Sequence, residues 1–146
     1  MTLTSRMAAL LHVALQDLRS GKALLVERLP SIATAVGDAR LSALLAAETD
    51  RAVVAHGRLD HAGGEGGPNN LWMAGILDDA DRDATSHQSG AIRDVALTGA
   101  IRKAKAAEIV SLDTAIALAD APMADMLKAL RHEAIATDHQ LRGLLE

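Results

Sequence analysis

The chain has 146 residues, 49% of them hydrophobic, with one Trp, no Phe, Tyr or Cys, and a formal net charge of −4. That is the length of a single domain, and residues 1–146 are read as one. The composition excludes a disulfide framework, a cysteine zinc site and a thiol nucleophile, and an acidic chain without a basic patch argues against nucleic acid or an anionic membrane as partner.

The first helix is expected from about Thr4 to about Ala35, because Leu11, Leu15, Leu18, Lys22, Leu25, Leu29 and Ile32 recur at alternating steps of four and three. Ala and Leu, which dominate the chain, are the strongest helix formers and poor strand formers. Pro30 lies inside this segment and is expected to kink or divide it, since it lacks an N–H and crowds the preceding turn. Gly37-Asp38 reads as a stop followed by an N-cap.

The second helix, about Ala39 to Ala62, carries the stripe Leu41, Leu45, Glu48, Ala52, Ala55, Leu59 and Ala62. Gly63 to Asn70 is the clearest loop. It has neither a preceding strand nor the Lys-Ser/Thr that a phosphate-binding loop needs. A short helix follows, Leu71 to about Ala84, then a second break from Ser86 to Gly90.

The third long helix, about Ala91 to Ala119, has the stripe Leu97, Ile101, Lys105, Glu108, Leu112, Ala115 and Ala119. Asp120-Ala121-Pro122 is a compact restart with the cap at Asp120 or Ala121. The fourth long helix runs to about Leu145, with Met126, Leu130, Glu133, Thr137 and Leu144 on one face and Leu127, Ala134 and Leu141 beside it. Two helical hairpins joined by one long crossover define an all-α, antiparallel four-helix bundle of ferritin-like type, its crossover carrying a short extra helix.

Each stripe is interrupted near mid-helix by charge: Lys22 in the first helix, Glu48 with Arg51 in the second, Lys105 with Glu108 in the third, and Glu133 preceded by His132 in the fourth. Packed in register, these residues converge at one depth. A buried charge persists only when paired or bound to a metal. Either the three carboxylates are balanced by Lys22, Lys105 and Arg51, or Glu48, Glu108 and Glu133, with His132, hold a cation. Long side chains beside a stripe also reach water, which is the alternative for each residue taken alone.

Leu11 to Ser20 followed by Leu29-Pro30 resembles the opening helix of the YciF/YciE-type ferritin-like family. Met73-Ala74-Gly75-Ile76-Leu77 with Asp79 is similar to that family's crossover helix. Asp94-Val95-Ala96-Leu97, Lys103, Glu108-Ile109 and Thr114-Ala115 resemble its third helix, and Ala136-Thr137-Asp138 its fourth. The resemblance spans nearly the whole chain. It implies a ferritin-like bundle, often dimeric, associated with bacterial stress and without an assigned reaction, with a carboxylate-rich site that could hold two metal ions. The departures matter. Lys22 stands where the family carries Glu, and Lys105-Ala106 where it carries Glu-His. Glu108 matches, Glu48 and Glu133 are counterparts of other carboxylates, and Asp79 replaces the crossover helix's Glu.

Other constellations are weak. His56 and His61 are turned about 140° apart on a helix, and His132 and His139 are about 10 Å apart along one, so neither pair chelates. No Ser, His and Asp arrangement supports nucleophilic catalysis. Trp72 is expected to pack the crossover helix onto the bundle or onto a second subunit.

The reading is a non-catalytic ferritin-like protein, stress-associated by resemblance, whose Lys/Glu network replaces a di-metal site. No cofactor is expected, and a homodimer is the expected assembly. The alternatives are iron or manganese oxidation or storage at Glu48, Glu108 and Glu133, and a helical protein-interaction module. No apolar run approaches the roughly 20 residues that span a bilayer. The segment to Gln16 lacks a signal-cleavage pattern, so a cytoplasmic location is expected.

Overall fold

The computed structural model describes residues 2–86 and 88–146. Five α-helices account for most of them: α1 Leu3–Thr34, α2 Ala39–Leu59, α3 Leu71–Ser86, α4 Ala91–Leu118 and α5 Ala121–Gly143. No helix among the described residues is long and apolar enough to cross a membrane.

Four of the five helices begin where a side chain relieves an unpaired amide, and α4 begins at Gly90 without such a cap. Thr2 Oγ1 accepts from Ser5 N at 3.1 Å, Asp38 Oδ1 from Arg40 N at 2.7 Å, and Asp120 Oδ1 from Met123 N at 3.0 Å. Asp38 and Asp120 are caps that the sequence marks. Asn70 Oδ1 does the same for α3, accepting from Met73 N at 2.9 Å. α1 continues through Pro30 to Thr34 without division. The proline is exposed and lies a turn from the helix end, where the missing hydrogen bond costs least.

α2 ends at Leu59, earlier than the sequence suggests, and passes into a π-helical turn over Asp60–Gly64. Two glycines permit this. Gly63 has a φ of 98°, and Gly64 is pressed so tightly between α1 and α2 that a Cβ there would lie 2.8 Å from the carbonyl oxygens of Leu15 and Leu59. The expected break from Ser86 to Gly90 includes His87, which lies outside the described residues.

α1 packs on α2 and on α4, α5 packs on α4 and on α2, and these contacts close a four-helix ring. Asp94 at the start of α4 accepts from Gly37 N and Asp38 N, each at 2.9 Å, so α4 begins where α1 ends and the two run antiparallel. α2 and α4 face each other across the diagonal. α3 lies outside the ring against α1 and α4.

The core falls into two apolar parts. One joins Leu25, Leu29 and Ile32 of α1 with Leu41 and Leu45 of α2, Leu97 and Ile101 of α4, and Met73 and Leu77 of α3. The other joins Leu15 and Leu18 with Ala55, Leu59, Leu112, Ala115, Leu127 and Leu130. Between them lies a layer of charge.

Candidate functional site

Lys22 occupies the α1 seam between Leu18 and Leu25, and Glu48 the α2 seam between Leu45 and Ala52. Lys105 and Glu108 sit one turn apart in α4, between Ile101 and Leu112. The three- and four-residue spacing that buries their apolar neighbours also turns these four inward. They are 7%, 3%, 0% and 2% exposed respectively, so water does not neutralise them.

They neutralise one another. Lys22 Nζ donates to Glu108 Oε2 at 3.1 Å, and Lys105 Nζ donates to the same oxygen at 3.0 Å. Lys105 also crosses the bundle interior from α4 to α2 and pairs with Glu48 Oε1. The second Glu48 oxygen accepts from Thr137 Oγ1 of α5 at 3.2 Å and from Arg51 Nε at 3.4 Å. Arg51 Nη2 donates to Thr137 Oγ1 at 3.1 Å, which closes the rim of the network. Two ammonium groups and two carboxylates are fully inside, and the half-buried Arg51 guards their edge.

Burial works against charge on Lys105, but attraction to Glu108 and Glu48 and the hydrogen bonds to both outweigh it, so its ammonium is held above the ordinary lysine value of 10.5. Burial likewise works against the Glu108 carboxylate. Lys105 and Lys22 overcome it and hold Glu108 below the ordinary 4.5.

Glu133, expected in this layer, stands half-exposed on α5, and none of the layer's bonds reaches it. The inward face of α5 is Leu127, Leu130, Ala134, Thr137 and Leu141, one residue round from the expected stripe, so Thr137 makes the contact instead. His132 and His139 are exposed. Asp79 pairs with Arg82 on the outside of α3.

The donor set therefore does not suit a di-metal centre. Such centres in four-helix bundles use carboxylates from all four helices with two histidines, whereas among the described residues Glu48 and Glu108 are the only buried carboxylates, and both hold ammonium groups. Among the described residues no group of three or more His, Asp and Glu is placed to bind a metal.

Several residues of the family-like segments tie down the crossover. Trp72 Nε1 donates to Asp17 Oδ2 and Asn70 Nδ2 to Asp17 O, each at 3.0 Å, while Asn70 N donates to Ser20 Oγ at 2.8 Å. Trp72 thus packs onto the bundle. Gly21 makes room, because a Cβ there would lie 2.9 Å from Asn70 Nδ2. Arg28 clamps the same helix through Asp81 and, at 2.7 Å, Asp78. Sequence reasoning gave no structural role to Asn70, read as a loop residue, or to Asp94, read only within a family-like segment. A cap signal immediately before α3 marks Asn70, but no local signal marks Asp94, whose partners are more than fifty residues away.

An antiparallel four-helix bundle with one long crossover and a polar layer at mid-depth is a ferritin-like protein. No protein-family model and no curated protein matches the sequence, but solved structures do. The E. coli stress protein YciF superposes with a TM-score of 0.88 at 25% identity, over 94% of this chain and 93% of that one. YcfI from Rhodopseudomonas palustris, to which a structural role is ascribed, superposes at 0.87 and 21% identity, over 93% and 92%. The second likeness bears on fold alone, and the first supports a YciF-type protein.

Proposed function

We propose that this protein is a non-catalytic, stress-associated ferritin-like bundle in which buried lysine–glutamate pairs take the place of a di-metal site. The observation that carries the reading is the pair of ammonium groups, Lys22 and Lys105, on Glu108, the second of which also binds Glu48. A cation entering this layer meets two positive charges and no free carboxylate pair, so oxidation or storage of iron or manganese has no seat. The likeness to YciF supports the association with stress. The test is metal content after incubation with ferrous, manganous and zinc ions and removal of the excess. No retained metal is expected. Stoichiometric metal that disappears in Glu108→Ala overturns the reading in favour of a metal-dependent role.

We further infer that the partner is a second copy of the chain. α3 fills the outer groove between α1 and α4 along one half of the bundle. Beyond Pro68 the groove is open, a cavity of about 280 Å³ walled by Leu10, Val13, Ala14, Val110 and Thr114. Leu10, Val13 and Val110 are more than half exposed, and they stand as ridges beside the groove, so a two-fold pair fills each groove with the other's ridge. Sedimentation should give a dimer that Leu10→Glu dissociates. A monomer at all concentrations excludes it.

A further inference from the structure

The ionic layer has the connectivity of a dinuclear centre. One oxygen, Glu108 Oε2, is shared by Lys22 Nζ at 3.1 Å and Lys105 Nζ at 3.0 Å, so a single carboxylate bridges two cationic atoms. Glu48 closes on Lys105 from the opposite side of the bundle. The two positive centres are held at mid-depth by residues of α1, α2 and α4.

The charge follows the same plan. Di-metal bundles set four carboxylates against two divalent ions. Here two carboxylates are set against two monovalent ammonium groups. The fully buried groups of both sets sum to zero, with the half-buried Arg51 at the solvated rim outside the count, and a site this dry must meet that condition. A lysine-to-glutamate change in the layer removes one positive charge and adds one negative charge. The deficit equals the charge of one divalent ion, and the new side chain adds one carboxylate ligand. Glu108 Oε1, buried and without a hydrogen-bond partner, is an acceptor already in place for a cation.

We propose that the interior is a two-cation site whose cations belong to the chain, with each lysine standing for one divalent ion together with one carboxylate ligand. The substitute ligand is a divalent cation that accepts carboxylate oxygens, for which manganous ion is the probe. This proposal rests on the reading that the unsubstituted layer holds no metal.

The experiment compares the unsubstituted protein, Lys105→Glu, the double variant Lys22→Glu with Lys105→Glu, and the control Lys22→Gln with Lys105→Gln, each dialysed against manganous chloride. Bound metal is counted per chain, and helix content is followed by circular dichroism. The expected counts are none, about one, about two and none, with the melting temperature of the double variant rising as manganese is added. If the double variant is unfolded without metal, manganese is expected to restore its helix. A folded double variant that binds nothing overturns the proposal, as does one that stays unfolded in saturating manganese or one matched by the glutamine control. Uptake by the unsubstituted chain contradicts the metal-free reading. Zero counts throughout contradict only the one-for-one exchange.

Discussion

The charged layer and the apolar layers on either side of it are built on the same helical seams, yet they depend on their neighbours in different ways. Leu25 or Leu112 is stabilised by removal from water against any well-fitting apolar surface, and neighbouring leucines are largely interchangeable as partners. Lys105 has no such freedom. Its ammonium is tolerated only because Glu48 and Glu108 are opposite it, and a shift of one helix by a turn leaves it unpaired. The apolar layers favour association in any register that buries them, whereas the pairing of Lys105 with Glu48 and Glu108 favours the one register observed. The two apolar halves differ as well. The half near Leu25 and Leu97 is braced by Met73, Leu77 and Ala80 of α3, whereas the half near Leu15 and Leu127 has no such cover.

Breaking the charged layer should have the largest effect. Glu108→Gln leaves Lys22 and Lys105 without their shared counter-charge and is expected to cost about 3–5 kcal/mol in urea unfolding. Replacing Lys22, Glu48, Lys105 and Glu108 together by apolar residues of similar volume should be neutral or stabilising by about 1–4 kcal/mol. The comparison then sharpens, because that variant should lose unique packing, read as broadened NMR methyl signals, while it keeps or gains stability. In the apolar part, Leu25→Ala should cost about 2–5 kcal/mol with no change in pH dependence.

The crossover comes next. Asn70→Ala removes the α3 cap and the bonds to α1, an expected loss of about 2 kcal/mol, with faster hydrogen exchange confined to α3. The smallest effect belongs to the surface. Arg131→Ala breaks a 2.6 Å pair with Asp113, and its cost should stay under about 1 kcal/mol because both partners are solvated.

The pH dependence separates the layers further. Glu108 is held below its ordinary value, so its contribution is complete above 4.5 and lost as the pH falls through its lower folded value. Lys105 is held above its ordinary value, so its contribution is complete below 10.5 and lost as the pH rises through its higher folded value. The contribution of this pair should be flat between these limits and fall outside both. In the all-apolar variant these two contributions should be absent.

The recurrence at four- and three-residue steps, strictly alternating in α1 and α2 and nearly so in α4, made these seams legible, and with them the placement of Lys22, Glu48, Lys105 and Glu108. The helix starts at Asp38 and Asp120 were legible because their capping is local. α5 was less so. Leu127, Leu130, Ala134 and Leu141 are interleaved with Met126, Ala129 and Leu144, so the apolar arc is broad and its centre is ambiguous by one residue. That ambiguity put Glu133 inward in place of Ala134. The Asp94 capping of the α1–α2 turn and the Asp17–Trp72 bond join residues far apart in the chain, and no periodicity reports them.

Everything in the charged layer turns on Lys105 being a charged ammonium, the counter-ion of Glu48 and Glu108. That charge state is tested most directly by NMR titration of the lysine side chains, with Lys105→Arg to assign the signal. The account predicts that Lys105 remains protonated beyond the ordinary lysine range and releases its proton only as the fold is lost. A Lys105 that titrates below 10.5 within the intact bundle would show that burial outweighs its partners and would contradict the account.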